Sequence, residues 1–188
     1  MFKELHELYQ LVEETVALLR SRFPQEIACK PGCADCCSAV FDVSLIEAVN
    51  IAHHFKELAP ATQQKIGGRA EKAMDEWQAL FAGPTDPAQA RIRCPLLGAD
   101  NLCQLYQARP VNCRTYGVPT VINGAAHVCG LSRFAKGSSY PTIQLEPLQQ
   151  RLFEISVAAA DEARGARRFP VARVLLAPDS FLSYLKSA

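Results

Sequence analysis

The sequence predicts a mainly α fold: a small helical domain interrupted by two cysteine-rich irregular segments with short hairpins. Three observations carry this reading. Apolar residues recur at helical spacing in four long stretches. Between those stretches, cysteines and turn-forming residues concentrate in 28–38 and again in 91–130. The composition, 49% hydrophobic and 21% charged in 188 residues, supplies enough apolar material for a core without cross-links to compensate for small size.

The elements follow in order. Residues 2–22 form an amphipathic helix, because Leu5, Leu8, Tyr9, Val12, Val16 and Leu19 fall on one face and Pro24 lies just beyond. The loop 28–38 carries Pro31 and Gly32 as turn residues. A second helix starts near Ser44, where Ser44 and Glu47 fit a capping box, and ends near Leu58 before Pro60. A third covers 62–81, with Ile66, Ala70, Ala73, Trp77 and Leu80 on its apolar stripe and a weak point at Gly67-Gly68. Residues 82–90 have linker composition. In 91–130, "CPLLGADNLC" predicts a hairpin turning near Gly98–Asn101, and "TVINGAAHVC" predicts another around Asn123-Gly124. Pro110 ends a short helix beginning near Leu105. A long helix spans 145–164 and stops near Gly165. The apolar tail "VARVLL…FLSYL" then docks on the core. The whole, 1–188, is expected to be one domain. Its cysteine-bearing core covers about 28–130, flanked by the N-terminal helix 2–22 and a helical extension 142–188.

Charge removes several function classes. The 20 basic and 19 acidic residues leave a net charge of +1. The longest basic cluster is only Arg164, Arg167 and Arg168, so no nucleic-acid footprint is expected. Lys3, Glu4, Glu7, Glu13 and Glu14 interrupt any signal-peptide apolar region, and no stretch is apolar for long enough to span a bilayer. The expected compartment is the cytoplasm, where thiols stay reduced. Eight cysteines there point to metal binding; four disulfides are the competing account for an exported chain.

"CKPGCADCC" places Cys29, Cys33, Cys36 and Cys37 within nine residues. Thiolates are soft ligands suited to zinc, copper(I) and iron–sulphur clusters, and short spacings lower the chain entropy lost on closing around a metal. Adjacent side chains of an extended loop point to opposite sides, so Cys36 and Cys37 are not expected to bind one ion together. Either the loop gives three sulphurs and a fourth comes from Cys94, Cys103, Cys113 or Cys129, or the eight divide into two four-sulphur sites. Only Cys33-x2-Cys36 has the knuckle form usual for structural zinc. All-sulphur ligation, one tight loop and the Cys94-Pro95 pair lean towards a 4Fe-4S cluster, with zinc as the alternative. His53 and His54 lie mid-helix and fit core or surface roles; His127 is the better substitute for a sulphur. The Cys29-x3-Cys33-x2-Cys36 spacing also matches radical S-adenosylmethionine enzymes. Asp35 stands where that family prefers an aromatic residue, and no alternating strand–helix series follows to build a barrel. Cysteines also pack as small hydrophobes, which suits one or two of the eight but not a loop flanked by Lys30, Pro31, Gly32 and Asp35.

Tyr106, Arg109, Arg114 and Tyr116 crowd around Cys103 and Cys113. Arginines there would offset thiolate charge and donate hydrogen bonds to sulphur; otherwise they make surface or helix-end contacts. Taken together, Cys29, Cys33, Cys36 and Cys37, then Cys94-Pro95, Cys103, Tyr106, Arg109-Pro110 and Cys113-Arg114, resemble the YkgJ-type, or CxxCxxCC, family of zinc- or iron-chelating domains. The resemblance covers about 28–116. The first gap is three residues where the family name implies two, and Cys129 is added on chemistry alone. The resemblance implies metal binding more than catalysis. A related cysteine-rich region in flagellin lysine N-methylases makes a protein-modifying role conceivable. Three functions are therefore carried forward: a cysteine-cluster metalloprotein, an iron–sulphur-dependent oxidoreductase or part of a protein-modifying methylation system acting on a protein partner, and a metal storage, delivery or sensing protein.

Overall fold

The computed structural model describes residues 2–184; the last residues of the apolar tail lie outside them. The first helix, α1 (Lys3–Arg22), buries all six residues of its predicted stripe. They pack in two groups, one around Ile46, Val111 and Leu152 and one around Val118 and Ile143. The strand β1 (Asp42–Ser44) leads directly into α2 (Leu45–Lys56), the most buried helix. The capping box expected at its start is present. The Glu47 carboxylate accepts from the Ser44 N–H at 3.0 Å and from the Ser44 hydroxyl at 2.9 Å. Burial pushes the Glu47 carboxyl up from its usual value, opposed by these bonds and one from the Val111 N–H at 2.8 Å. Next, α3 (Pro60–Ala82) starts two residues earlier than predicted, with Pro60 in the first turn. That position costs no hydrogen bond, since the missing N–H would have had no partner. Gly67 and Gly68 do not interrupt it.

The predicted hairpins both form. Leu97 and Cys103 face each other across a bridge, and the Gly98 N–H donates to the Leu102 carbonyl at 2.9 Å. In place of a helix from Leu105, a single 3-10 turn covers Tyr106–Ala108, and Pro110 opens α4 (Val111–Thr115). The second hairpin pairs β2 (Thr120–Ile122) with β3 (Ala125–His127), with Asn123 and Gly124 both at positive φ. A further strand, β4 (Ile143–Gln144), joins β2 in parallel.

The helix predicted over 145–164 is two. The first, α5 (Leu145–Ala159), ends where Ala160 leaves helical geometry at φ −125°, ψ −100°. Asp161 then caps α6 (Glu162–Gly165) by accepting from the Arg164 N–H at 2.9 Å. After it, β5 (Arg168–Pro170) pairs antiparallel with β1, placing Val43 opposite Phe169. Then α7 (Val171–Leu176) and α8 (Pro178–Leu182) send Val174, Leu175 and Phe181 into the core of Leu45, Val49 and Ile66. Each such side chain contributes about 1.5–3 kcal/mol by leaving water. About half of the chain is helical, in eight helices among the described residues, with a few short strands.

Candidate metal centre

The first cysteine loop is set by local turns. The Cys33 N–H donates to the Lys30 carbonyl at 2.9 Å, and Cys36–Ser38 form a 3-10 turn closed by the Cys37 N–H on the Ala34 carbonyl at 3.0 Å. The second segment is laid across this loop by main-chain bonds. The Cys94 N–H donates to the Cys37 carbonyl at 2.6 Å and the Ile92 N–H to the Ser38 carbonyl at 3.1 Å; Ala39 pairs with Arg91. From α3, Arg69 holds the Pro95 carbonyl at 2.7 Å. Cys113 comes from α4, whose first turn is fixed by Pro110 and by the buried Glu47. Gly117 sits at φ +96°, and a Cβ there would lie 3.2 Å from the Cys29 sulphur, so this glycine permits the close approach of Cys29.

As a result, Cys29, Cys33, Cys36, Cys37, Cys94, Cys103 and Cys113 line one cavity of about 300 Å³. None of the eight cysteines is in a disulfide. Cys36 is the hub: it interacts electrostatically with Cys94, Cys103 and Cys113, and its sulphur lies 4.0 Å from that of Cys37. Cys37 donating to it, aided by the charge of Arg109, holds the Cys36 thiol down at about 7. The same bond pushes Cys37 up. Burial raises four more: Cys94 to about 12, Cys113 well above the usual thiol value, and Cys29 and Cys103 upwards. The cavity wall is therefore mostly neutral thiol at pH 7, with Cys36 the readiest to ionise. Among the described residues, no three His, Cys, Asp or Glu side chains already stand in an arrangement that encloses an ion. The donor chemistry fits a soft metal; the sulphurs are neighbours but not a finished coordination sphere.

Cys129 stands apart from this cavity wall. Its thiol donates to Asp35 Oδ2 at 3.2 Å, and the Tyr116 hydroxyl donates to the same oxygen at 2.8 Å. Arg91 approaches Asp35 Oδ1 at 3.5 Å. Burial, then the Asp35 bond and charge, push Cys129 up to about 11. Arg109 lines the cavity and lies 3.6 Å over the ring of Tyr106, which lines it too. Arg114 turns away from the sulphurs. It donates to the Arg109 and Gln107 carbonyls at 2.7 and 2.6 Å, pairs with Glu13, and stacks 3.9 Å over the Tyr9 ring. It thus holds the backbone that presents Arg109. His53 and His54 pair with Glu57 on α2, and His127 is exposed on β3; none lines the cavity.

Sequence reasoning passed over two groups. Asp35, read as a turn residue and as a departure from the radical S-adenosylmethionine pattern, gathers Cys129, Tyr116 and Arg91; its place inside the cysteine loop was the available signal. The apolar half of the cavity, formed by Ile51, Ala73, Trp77 and Ala172, comes from three separate helices and left no local signal.

Seven thiols wall one cavity inside a largely helical frame, a donor set suited to soft metals. The family model described as "CxxCxxCC: Putative zinc- or iron-chelating domain" matches residues 28–130, and the chain belongs to this family. The match runs beyond 116 and takes in Cys129. Neither the curated proteins nor the solved structures give a significant match.

Proposed function

We propose that this protein is a thiolate metalloprotein that holds a 4Fe-4S cluster, or zinc, through cysteines of both segments. One observation supports this above the rest: seven unbridged cysteines, drawn from 29–37 and from 94–113, face the same cavity. The ligands we assign are Cys36 from the first segment and Cys94, Cys103 and Cys113 from the second, which line the cavity together, with Cys37 close by. Cys29 and Cys33 form a neighbouring pair beside Cys36, and Cys37 hydrogen-bonds to it. Closing on a metal then requires rotation of cysteine side chains between staggered positions and release of their protons. Arg109 offsets the resulting negative charge, and Tyr106 holds Arg109 over the cavity. A bound cluster would supply one-electron chemistry; zinc would supply a cross-link. The reducing cytoplasm is the setting in which these thiols stay available. No helix among the described residues is long and apolar enough to cross a membrane.

The test is metal and acid-labile sulphide content after anaerobic purification, with the visible absorption spectrum. A cluster gives iron and sulphide in equal amounts and a band that bleaches on reduction; zinc gives neither. Cys113→Ser is expected to lose most of the bound metal, whereas Cys129→Ser keeps it. Full metal content in Cys113→Ser, or none in the unaltered protein, overturns the assignment.

A further inference from the structure

The cavity holds more than sulphur. At about 300 Å³ it reaches the lower end of the size of small-molecule pockets. Its walls away from the cysteines are apolar: Phe41, Ile51 of α2, Ala73 and Trp77 of α3, and Ala172 of α7. Thiolate ligation needs none of these residues, and they come from elements far apart in the chain.

The charged residues of the lining have one sign. Arg20, Lys30, Arg93 and Arg109 line the cavity, and among the described residues no Asp or Glu does. This occurs in a chain with 20 basic and 19 acidic residues, so overall composition does not account for it. Arg20, Lys30 and Arg93 are exposed. Arg20 and Lys30 make no ion pair among the described residues, and Arg93 donates only to the Gly98 carbonyl at 3.3 Å. Arg109 is the cation that serves Cys36. The other three are long side chains at the solvent side of an apolar chamber. A neutral or cationic occupant would gain nothing from them, since among the described residues Arg20 then faces only Cys29, Arg93 only the Gly98 carbonyl, and Lys30 only water. An anionic head group would pair with them while its apolar body displaced water from the inner walls.

We propose that this cavity binds a small amphipathic acid, with its anionic group at Arg20, Lys30 and Arg93 and its apolar body against Ile51, Ala73 and Trp77. The proposal goes beyond the metal reading and rests on it only in leaving the sulphur wall to the metal.

The chain's single tryptophan, Trp77, lines the chamber and reports on occupancy through its fluorescence. Octanoate is titrated into the full chain as purified anaerobically, with octanol and octylammonium alongside, and metal content is measured on the same samples. Octanoate is expected to change Trp77 emission saturably, with octanol and octylammonium binding at least about tenfold more weakly for want of charge-assisted hydrogen bonds. The double variant Lys30→Gln/Arg93→Gln, altered only at exposed positions, is expected to weaken octanoate about tenfold or more and leave octanol unchanged. Ala73→Phe is expected to fill the chamber and abolish the response at unchanged helix content. Equal affinity for octanoate and octanol, or no response to octanoate, overturns the proposal whatever the metal content. A saturable octanoate response in protein free of metal sustains it and counts against the metal reading alone.

Discussion

Arg114 carries its charge almost wholly inside the protein, with 4% of its side chain exposed, while its partner Glu13 remains half in water. Two backbone carbonyls and the Tyr9 ring depend on it as well. Arg114→Gln therefore removes more than an ion pair, and a loss of about 2–4 kcal/mol is expected in urea denaturation. The folded fraction should keep its metal if Arg114 acts only by holding the Arg109 turn. The cysteines make a second prediction at this scale. With Cys94, Cys103 and Cys113 raised by burial, all three are protonated at neutral pH and, as the proposed ligands, would each have to release a proton on binding metal. Apparent zinc affinity in competition with a chromogenic chelator should rise between pH 7 and 8 by roughly a thousandfold, a factor of ten for each of the three, and more steeply below about 7, where Cys36 must also lose its proton. A flat profile would exclude these thiols as ligands. The metal-free protein should behave oppositely. Because its folded thiols resist ionisation, it should lose stability as pH climbs through 9.0, the ordinary thiol value at which the unfolded chain ionises.

Elements with a local signature were legible in the sequence. The stripe of α1, the capping box of α2 and the Asn123-Gly124 turn each rest on neighbours within a few residues, and each appears where expected. The break between α5 and α6 was missed, because Ala158, Ala159 and Ala160 favour helix and the competing cap at Asp161 was not weighed against them. The packing of α6 is tight: a Cβ on Gly165 would lie 2.7 Å from the Val157 backbone. Gly165→Ala is expected to cost about 1–3 kcal/mol by overpacking, read as a lowered urea midpoint with unchanged metal content. The β1–β5 pairing was illegible for another reason. Each strand has three residues, too few for a period, and the two lie more than a hundred residues apart.

At the scale of the whole molecule, the sulphurs were legible and the space they face was not. The identity of eight cysteines is written in the chain, but the chamber beside them appears only when α2, α3 and α7 pack. The buried core of Leu5 and Leu152 has no cysteine, and that of Leu45, Ile66 and Val174 meets Cys94 and Cys103 only at its edge. Removing the metal with a chelator is thus expected to lower Tm by about 10 °C or more while far-UV circular dichroism at 25 °C stays nearly constant. Collapse of helix content on chelation would show that the centre builds the fold. The hydrogen bonds from the Cys94 N–H to the Cys37 carbonyl and from the Ile92 N–H to the Ser38 carbonyl argue otherwise. They join the two walls through main-chain groups alone, whatever the side chains between them hold. Protein stripped of metal and then resupplied is therefore expected to recover its metal content without passing through an unfolded state, a course that far-UV circular dichroism would follow.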